Sequence, residues 1–543
     1  MIDLREYQDG SRRLSDYLPW AALIAPGIIL NKDGALQRTL RYRGPDLESA
    51  TPEELVSYTA RVNNALKRFG SGWSLFFEAA RRPATDYPES EFPEAASWLV
   101  DEERRNTFRE AGAHFETGFY LTLSWLPPAD RTGRMESVLI EDPAQAPGAF
   151  WEDALQTFQT QSDRGIDLLQ ALMPEAEWLT DEETLTYLHT CVSTKDHAVR
   201  VPHTPMCLDA MLTDCTLKGG LSPTLGDQAL RTISVQGFPP MTEPGLLSDL
   251  DNLGFAYRWG TRFIPLDKPE AEKTLNRYRR QWFSKRKSVL TILKETLENE
   301  PAALLNTDAD NKAADVDEAL QALGSDFVGF GYLTNSITLM NEDPDVADEM
   351  ARSVERVLNS RGFTSINESL NAVDAWLGTH PGNAYANVRQ PLIHTLNLAH
   401  MAPLSAVWAG PERNDHLDDF PLLMARSSSS TPFRLVTHSG DVGHTMIVGP
   451  TGAGKSVLLS LLALQFQRYK NARVYIFDKG RSARAALLAI GAAEYDLVPT
   501  GALAFQPLAN IDQTEDLTFA QDWTLGLLRQ EGVETDATCQ EKI

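Results

Sequence analysis

An eight-residue glycine-rich motif constrains the fold of this chain more than any other feature of its sequence. Residues 449–456 read GPTGAGKS, which matches G-x-x-x-x-G-K-[S/T] at every fixed position. Residues 444–448 before it are apolar, and residues 457–469 after it are rich in leucine and free of proline and glycine. A strand, a glycine-rich turn and a helix in that order predict a phosphate-binding loop in a parallel-sheet α/β domain.

Each residue type of this motif has a physical role in binding a nucleoside triphosphate. Glycines let successive backbone N–H groups point at phosphate oxygens without a Cβ in the way, and the positive end of the helix adds to the field. We expect Lys455 to contact the β- and γ-phosphates and Ser456 to ligate Mg²⁺, which makes them the predicted catalytic pair and predicts ATP and Mg²⁺ as cofactors. The predicted nucleotide contacts are Gly449, Pro450, Thr451, Gly452, Ala453, Gly454, Lys455, Ser456 and Val457.

Asp478 is the candidate for a supporting role at this site. It follows a second apolar segment, residues 473–477, and ligands of open α/β sheets bind beyond the carboxyl ends of the strands. Its carboxylate could orient Mg²⁺-bound water or contact a partner subunit. Capping the helix predicted for residues 481–490 is the alternative role, and the sequence favours neither.

ATP hydrolysis needs further groups that the sequence after Asp478 does not supply. A strand at 503–505 and a helix at 519–531 are predicted there, and neither is an apolar run ending in Asp-Glu, the Walker B signature that holds Mg²⁺. A complete motor core also needs a longer stretch after its first strand. The expectation is therefore a C-terminally truncated chain that hydrolyses ATP poorly by itself.

The region before the motif has a different pattern, which predicts an α/β unit over residues 1–150. Segments 28–30 and 36–42 are predicted to form a β-hairpin around the turn 31–34. Thr51, with Pro52 and Glu54, is predicted to open a helix through a capping box. Two more strands are predicted at 73–79 and 118–125. Two strands, a helix and two strands resemble the ferredoxin-like plan.

The rest of the chain divides into three further predicted parts. Residues 151–320 are predicted to be mainly helical, with an acidic loop or linker at 306–318. Residues 321–425 form a second predicted α/β unit, with a hairpin of strands 327–333 and 336–340 around Asn335. In that unit a helix at 344–361 and a strand at 363–367 follow. The serine-rich stretch 427–432 is predicted to begin the P-loop domain, residues 426–543.

Composition excludes several classes of protein. The 543 residues include 50 Lys and Arg against 75 Asp and Glu, a net charge of −25, so contact with nucleic acid or anionic lipid would need a local basic patch. No apolar run reaches the length of a membrane-spanning helix. Four cysteines are too few for a disulfide scaffold, which favours a reducing compartment.

One segment, residues 273–294, has the charge that a basic patch requires. It carries eight cations and no acid, with Tyr278, Trp282 and Phe283 between them. Binding to DNA or to acidic headgroups is one interpretation, and a solvated helix face or a docking face for an acidic subunit is the favoured one. The cations are Lys273, Arg277, Arg279, Arg280, Lys285, Arg286, Lys287 and Lys294.

A zinc site is a weaker interpretation of a second cluster of residue types. The cluster consists of His189, Cys191, His203, Cys207 and Cys215, with spacings H-x-C, H-x₃-C and C-x₇-C. None of these is the C-x₂-C pairing that structural zinc sites usually show, and cysteine is also a common small core residue. The sequence therefore favours a structural role for these residues.

Several short motifs together resemble those of the ATPases of bacterial type IV secretion and conjugative transfer, most closely the TrbE class of the VirB-type ATPases. They lie along nearly the whole chain and are residues 18–23 (LPWAAL), 30–34 (LNKDG), 43–47 (RGPDL), 70–73 (GSGW), 432–434 (PFR), 440–445 (GDVGHT), 477–482 (FDKGRS) and 506–508 (QPL), besides the P-loop.

This resemblance implies a cytoplasmic ATPase, peripheral at the inner membrane through partner subunits. It implies an N-terminal α/β region that contacts inner-membrane and channel subunits, a RecA-like motor domain, and a homo-oligomer, a hexamer or lower. Its function would be to power pilus biogenesis and substrate transfer. The Walker A role transfers onto Gly449, Thr451, Gly452, Gly454, Lys455 and Ser456. The alternatives are an FtsK-like or coupling-protein DNA translocase and a nucleotide-binding assembly module without turnover.

Overall fold

The computed structural model consists of two compact units. It describes residues 13–542 apart from 48–49, 111, 113, 129–147, 205, 240, 287–306, 388, 428, 496–505 and 534. The sheet unit is formed by residues up to 88, by 107–414 and by 423–436. The P-loop unit is formed by Glu89–Asn106, Asp415–Leu422 and Thr437–Ile543, and is therefore built from three separate stretches of the chain.

The described residues contain the following elements. The strands are β1 (Trp20–Ala25), β2 (Ile28–Asn31), β3 (Leu36–Arg43), β4 (Trp73–Pro83), β5 (Phe115–Trp125), β6 (Glu175–Trp178), β7 (Leu217–Lys218), β8 (Thr224–Leu225), β9 (Gln228–Gly237), β10 (Tyr257–Leu266), β11 (Phe330–Asn341), β12 (Thr364–Asn367), β13 (Leu392–His394), β14 (Leu423–Arg426) and β15 (Pro432–Leu435). The helices are α1 (Leu14–Tyr17), α2 (Pro52–Leu66), α3 (Ala95–Glu110), α4 (Gly148–Gln170), α5 (Asp181–Val192), α6 (Leu208–Met211), α7 (Lys268–Arg286), α8 (Thr307–Gly324), α9 (Pro344–Ser360), α10 (Ala372–Leu377), α11 (Thr395–Met401), α12 (Lys455–Phe466), α13 (Arg484–Ala489), α14 (Thr514–Gln530) and α15 (Ala537–Lys542).

The sheet unit is organised around one large antiparallel sheet. Its strand order is β1-β2-β3-β5-β4-β10-β11-β9-β8-β7, and β6, β12 and β13 pair with β3, β9 and β11. The predicted hairpin is confirmed as β2 and β3, and the predicted strands at 73–79 and 118–125 are confirmed as parts of β4 and β5. The mixed α/β class is confirmed. The two predicted sandwiches are not separate, however, because β4 pairs with β10 and continues the sheet into the second half.

Two helix starts in this unit follow the capping chemistry that their sequences predict. The Thr51 hydroxyl accepts a hydrogen bond from the Glu54 N–H, and the Glu54 carboxylate accepts one from the Thr51 N–H at 2.8 Å. At α9 the Asp343 carboxylate accepts from the Asp345 N–H at 2.9 Å. Such caps satisfy backbone N–H groups that have no partner inside the helix. Both predicted helices are therefore confirmed.

The sheet unit buries apolar side chains on both faces of its sheet. One core joins alternate strand residues, such as Leu75 and Phe77, to Val62 of α2 and Val354 of α9. The opposite face is covered by α1, α5, α6 and α10, whose buried residues pack around Trp20. A third cluster joins α7 and α8 to the sheet. The alternation of faces along the strands accounts for this two-sided burial.

Three predictions for the middle of the chain are wrong. The predicted hairpin around Asn335 is one continuous strand, β11, in which the buried Asn335 accepts a hydrogen bond from the Trp259 indole at 3.0 Å. The mainly helical region 151–320 contains two ten-residue strands, β9 and β10. The predicted linker 306–318 lies in α8, because its alanines favour helix and its apolar residues pack against α7. In each case tertiary packing overrides the local pattern.

The serine-rich stretch 427–432 is not the start of the P-loop unit. It connects β14 to β15, which pair antiparallel within the sheet unit, and the P-loop unit resumes at Thr437. Serine, like glycine and proline, is common in turns as well as in linkers, because its hydroxyl can bond to nearby backbone. Here the Ser427 hydroxyl donates to the Thr431 carbonyl at 2.6 Å. The rest of the four-part division stays a prediction.

The P-loop unit has the predicted helices but not the predicted strands. Residues 457–469 are confirmed as mostly α12, and the helices at 481–490 and 519–531 are confirmed within α13 and α14. Residues 444–448 and 473–477 form no strand, so no parallel sheet is formed among the described residues of this unit. Strands require hydrogen-bonded neighbours. The predicted strand at 503–505 lies outside the described residues.

Candidate nucleotide-binding site

The backbone of residues 449–456 has the conformation that its glycines allow. Gly452 and Gly454 have φ angles of 85° and 89°, in the left-handed region that other residues rarely adopt. Gly454 is the N-cap of α12, so Lys455 and Ser456 are the first two residues of that helix. A Cβ at Gly452 or Gly454 would meet no described atom within 4 Å, so backbone conformation rather than crowding requires glycine at both positions.

The Lys455 side chain folds back onto the loop. Its ammonium donates hydrogen bonds to the carbonyls of Gly449 at 2.8 Å and Pro450 at 2.7 Å. The charge therefore lies over the loop, next to the first residues of α12. Phosphate oxygens, which are anionic, are stronger acceptors than these neutral carbonyls. An incoming phosphate can thus exchange with them for the same ammonium.

Ser456 and Asp478 line one cavity of about 530 Å³ within the P-loop unit. Thr445 and Ser482 also line it, and neither is among the predicted site residues because no motif marks it. Proximity to the P-loop in the chain is the one signal that could have pointed to Thr445. Hydroxyl groups and a carboxylate near a helix N-terminus are suitable neighbours for a hydrated Mg²⁺. The residues present therefore fit a nucleotide–Mg²⁺ complex, with Ser456 as the metal ligand.

Asp478 is engaged with its own loop. Its carboxylate accepts hydrogen bonds from the backbone N–H of Ala483 at 2.9 Å and of Gly480 at 2.9 Å, and from the Ser482 hydroxyl at 3.1 Å. The N–H of Ala483, first, and that of Gly480 lower the pKa of this carboxyl below its usual value. Ala483 is the N-cap of α13. The helix-capping role is thus present in the structure, while the position of Asp478 in the cavity leaves a role toward Mg²⁺ open as a proposal.

The basic segment begins in α7 and extends beyond the described residues. Arg279 pairs with Asp317 of α8, with 2.8 Å between Nε and Oδ1. The side chains of the other cations from Arg280 onward lie outside the described part of the chain. The ion pair at Arg279 joins the segment to an acidic neighbouring helix, as the favoured interpretation expects.

The cysteine and histidine cluster is dispersed between burial and solvent. His189 is buried with Nδ1 3.0 Å from the Leu212 carbonyl, and Cys191 is buried, where loss of hydration raises the pKa of its thiol to about 12. His203 and Cys207 are exposed. Among the described residues, no three His, Cys, Asp or Glu side chains are arranged to hold a metal ion. No helix within the described ranges combines the length and apolar character that crossing a bilayer requires.

Comparison with known proteins identifies the family. The model of the type IV secretion system ATPase VirB4/TrbE N-terminal domain matches residues 27–133, and that of the CagE, TrbE, VirB family, a component of type IV transporter systems, matches residues 292–389. The conjugal transfer protein TrbE of Rhizobium radiobacter is 36% identical, over 98% of this chain and 68% of its own length. A probable conjugal transfer protein TrbE of Sinorhizobium fredii is 37% identical, over 65% of this chain and 54% of its own length.

More distant relatives agree with this result. The type IV secretion system protein virB4 of Bartonella henselae is 22% identical over 95% of this chain and 65% of its own length. These matches define a component of type IV transporter systems. The chain belongs to the TrbE/VirB4 family, whose members are the energy-coupling ATPases of type IV secretion and conjugation. It spans about two thirds of the length of TrbE and virB4.

Proposed function

We propose that this chain binds ATP with Mg²⁺ through residues 449–456 and serves as an energy-coupling subunit of a type IV secretion or conjugation machine. In that machine, ATP hydrolysis by the whole protein drives pilus biogenesis and substrate transfer. The observation that carries the proposal is the loop itself, in which two left-handed glycines lead into a helix that starts with Lys455 and Ser456. Family membership supports the same conclusion.

In the proposed complex, the chain's own groups act on the phosphates. The loop N–H groups and the N-terminus of α12 bind phosphate oxygens, and Lys455 leaves the carbonyls of Gly449 and Pro450 to contact the β- and γ-phosphates. Mg²⁺ neutralises phosphate charge when bound, and Ser456 holds it through its hydroxyl. Asp478 contributes by fixing the 478–483 loop beside the cavity and by orienting water on Mg²⁺.

Slow turnover by this chain alone is part of the proposal. Among the described residues that line the cavity, Asp478 alone carries a carboxylate, and three donors already occupy it. A carboxylate so engaged is a weak base for activating water. A RecA-like sheet, a homo-oligomer and docking on inner-membrane and channel subunits at the cytoplasmic face belong to the same proposal.

Nucleotide binding by Lys455→Ala is the direct test. We expect the ATP dissociation constant with Mg²⁺ to rise by at least about tenfold, since a charge-assisted contact to phosphate is lost. Titration with a fluorescent ATP analogue measures it. Lys470→Ala removes the same charge just beyond the other end of α12, where Lys470 is exposed, and should bind as wild type does. Equal affinity in wild type and Lys455→Ala would contradict the proposal.

Phosphate release distinguishes this function from its two alternatives. Hydrolysis in the whole protein that is unaffected by duplex DNA supports energy coupling in secretion, whereas strong stimulation by DNA supports a translocase. Binding without turnover supports an assembly module. Charge reversal at Arg279, Arg280 and Lys285 adds a test of the basic segment, because unchanged DNA and liposome binding would remove its proposed role.

A further inference from the structure

A buried ion pair joins the far end of the P-loop helix to α3. The Arg468 guanidinium lies just after α12, with Nη2 2.8 Å from Oδ1 of Asp101 in α3, and each side chain is 2% exposed. Arg468 also donates to the Pro421 carbonyl at 2.8 Å and to Oε1 of Gln465 at 2.7 Å. All of these residues belong to the P-loop unit. The guanidinium is thus held by three separate stretches of the chain.

A second contact repeats this connection one residue earlier. The Ser97 hydroxyl of α3 donates to Oε1 of Gln467 at 2.9 Å. The other end of α12 is loosely held by comparison, since Val457 is 74% exposed and Leu459 56% exposed. The twelve-residue helix is about 18 Å long. One end therefore carries Lys455 and Ser456 in an open setting, and the other end is fixed to α3.

The position of α3 in the chain gives this contact its significance. The helix lies in sequence between β4 and β5, which pair with each other along eleven residues in the sheet unit. Residues 89–106 fall inside the region that matches the family's N-terminal domain, yet they pack in the P-loop unit. A displacement of α3 therefore acts directly on the connections to two neighbouring strands.

We propose that Asp101 and Arg468 are positioning residues that couple nucleotide binding at residues 449–456 to α3, and through it to β4 and β5. The inference rests on the proposed function. Opening this pair would take the carboxylate away from the buried Arg468 charge, so the end of α12 and α3 respond together. Binding of phosphate at the open end of α12 changes the partners of Lys455 and orders the loop. By linkage, whatever holds α3 in place then favours nucleotide binding, and the reverse.

Hydrogen exchange of the full chain, with and without ADP or a non-hydrolysable ATP analogue and Mg²⁺, tests the coupling without any mutation. Nucleotide should slow exchange of the amides of residues 95–106 in wild type. Asp101→Asn and Arg468→Gln should abolish that slowing and raise the nucleotide dissociation constant by about fivefold. Ser97→Ala, which leaves the ion pair intact, is the milder variant and should reduce the effect in part.

Glu494→Gln is the matched control, because it breaks an ion pair with Arg484 in the same unit, at 3.1 Å, away from α3. It should leave both readouts unchanged. Unaltered exchange of residues 95–106 on nucleotide binding in wild type would overturn the coupling while leaving the nucleotide site intact. Folded Asp101→Asn protein with wild-type affinity and wild-type slowing would also overturn it. Wild type that binds no nucleotide would overturn the proposed function together with this inference.

Discussion

The sheet unit and the P-loop unit treat apolar side chains in opposite ways. In the sheet unit the first nine residues of β4 are all buried, and Phe77 is 1% exposed. In the P-loop unit the segments that read as strands are exposed, with Phe477 at 99%, Met446 at 84% and Val448 at 82%. The sequences of these segments are equally apolar. What differs is the presence of paired neighbours, which the sheet unit supplies from strands distant in the chain.

This difference shows that a local nucleotide-binding geometry does not depend on a completed sheet. The P-loop has its left-handed glycines and its helix although residues 444–448 and 473–477 are unpaired among the described residues. Loop conformation is decided by glycine and by helix capping over a few residues. Sheet burial needs area from many elements, at about 25 cal/mol per Å² of apolar surface. The two requirements are met separately in this chain.

Matched phenylalanine truncations should show the largest contrast between the units. We expect Phe77→Ala to lower the free energy of unfolding of the sheet unit by about 3–5 kcal/mol, because it empties a packed core position. Phe477→Ala should change stability by less than about 0.5 kcal/mol, since its side chain contacts mostly solvent. Chemical denaturation of the full chain measures both. A cost of several kcal/mol at Phe477 would mean that the two units do not differ as described.

Acidification should act on the sheet unit through one buried histidine. Burial, first, and the Arg258 charge lower the pKa of His380 from 6.5 to about 3. Between these values the unfolded chain binds the proton and the folded chain does not, so stability falls as pH falls. From pH 7 to pH 5 the expected loss is about 2 kcal/mol.

The pH dependence has its own control. His380→Gln should remove this part of the slope, whereas His203→Gln, at an exposed histidine, should keep it. Denaturation midpoints of the sheet unit at pH 7 and pH 5 are compared for the three proteins. Identical slopes for wild type and His380→Gln would place the proton uptake at another group.

Helix capping offers the smallest contrast. Thr51→Ala removes the hydroxyl that accepts the Glu54 N–H and should cost the sheet unit about 1 kcal/mol. Gln513 is the N-cap of α14 in the P-loop unit and makes no capping hydrogen bond with its side chain. Gln513→Ala should therefore change stability by less than about 0.5 kcal/mol. A similar cost at both positions would argue against a capping origin for the effect at Thr51.

The features that are predictable from sequence are those governed by neighbouring residues. The capping box at Thr51, the cap at Asp343 and the P-loop helix depend on side chains within a few positions, so short patterns indicate them correctly. The strand β11 resembles a hairpin in sequence because Asn335 is common in turns, while its partner, the Trp259 indole, is 76 residues away. Likewise, no pattern near Asp101 indicates that Arg468 will pair with it.

The split origin of the P-loop unit imposes an order on synthesis. Asp101 leaves the ribosome long before Arg468, which follows it by 367 positions. At about 5–20 residues per second, α3 waits roughly 20–70 s for its partner. Throughout that interval the helix lies between two strands that are free to pair, so the sheet can start to assemble around an insertion that still lacks the arginine it will bury. The nucleotide-binding half is consequently the last part of the molecule to be finished, whatever the speed of its own folding.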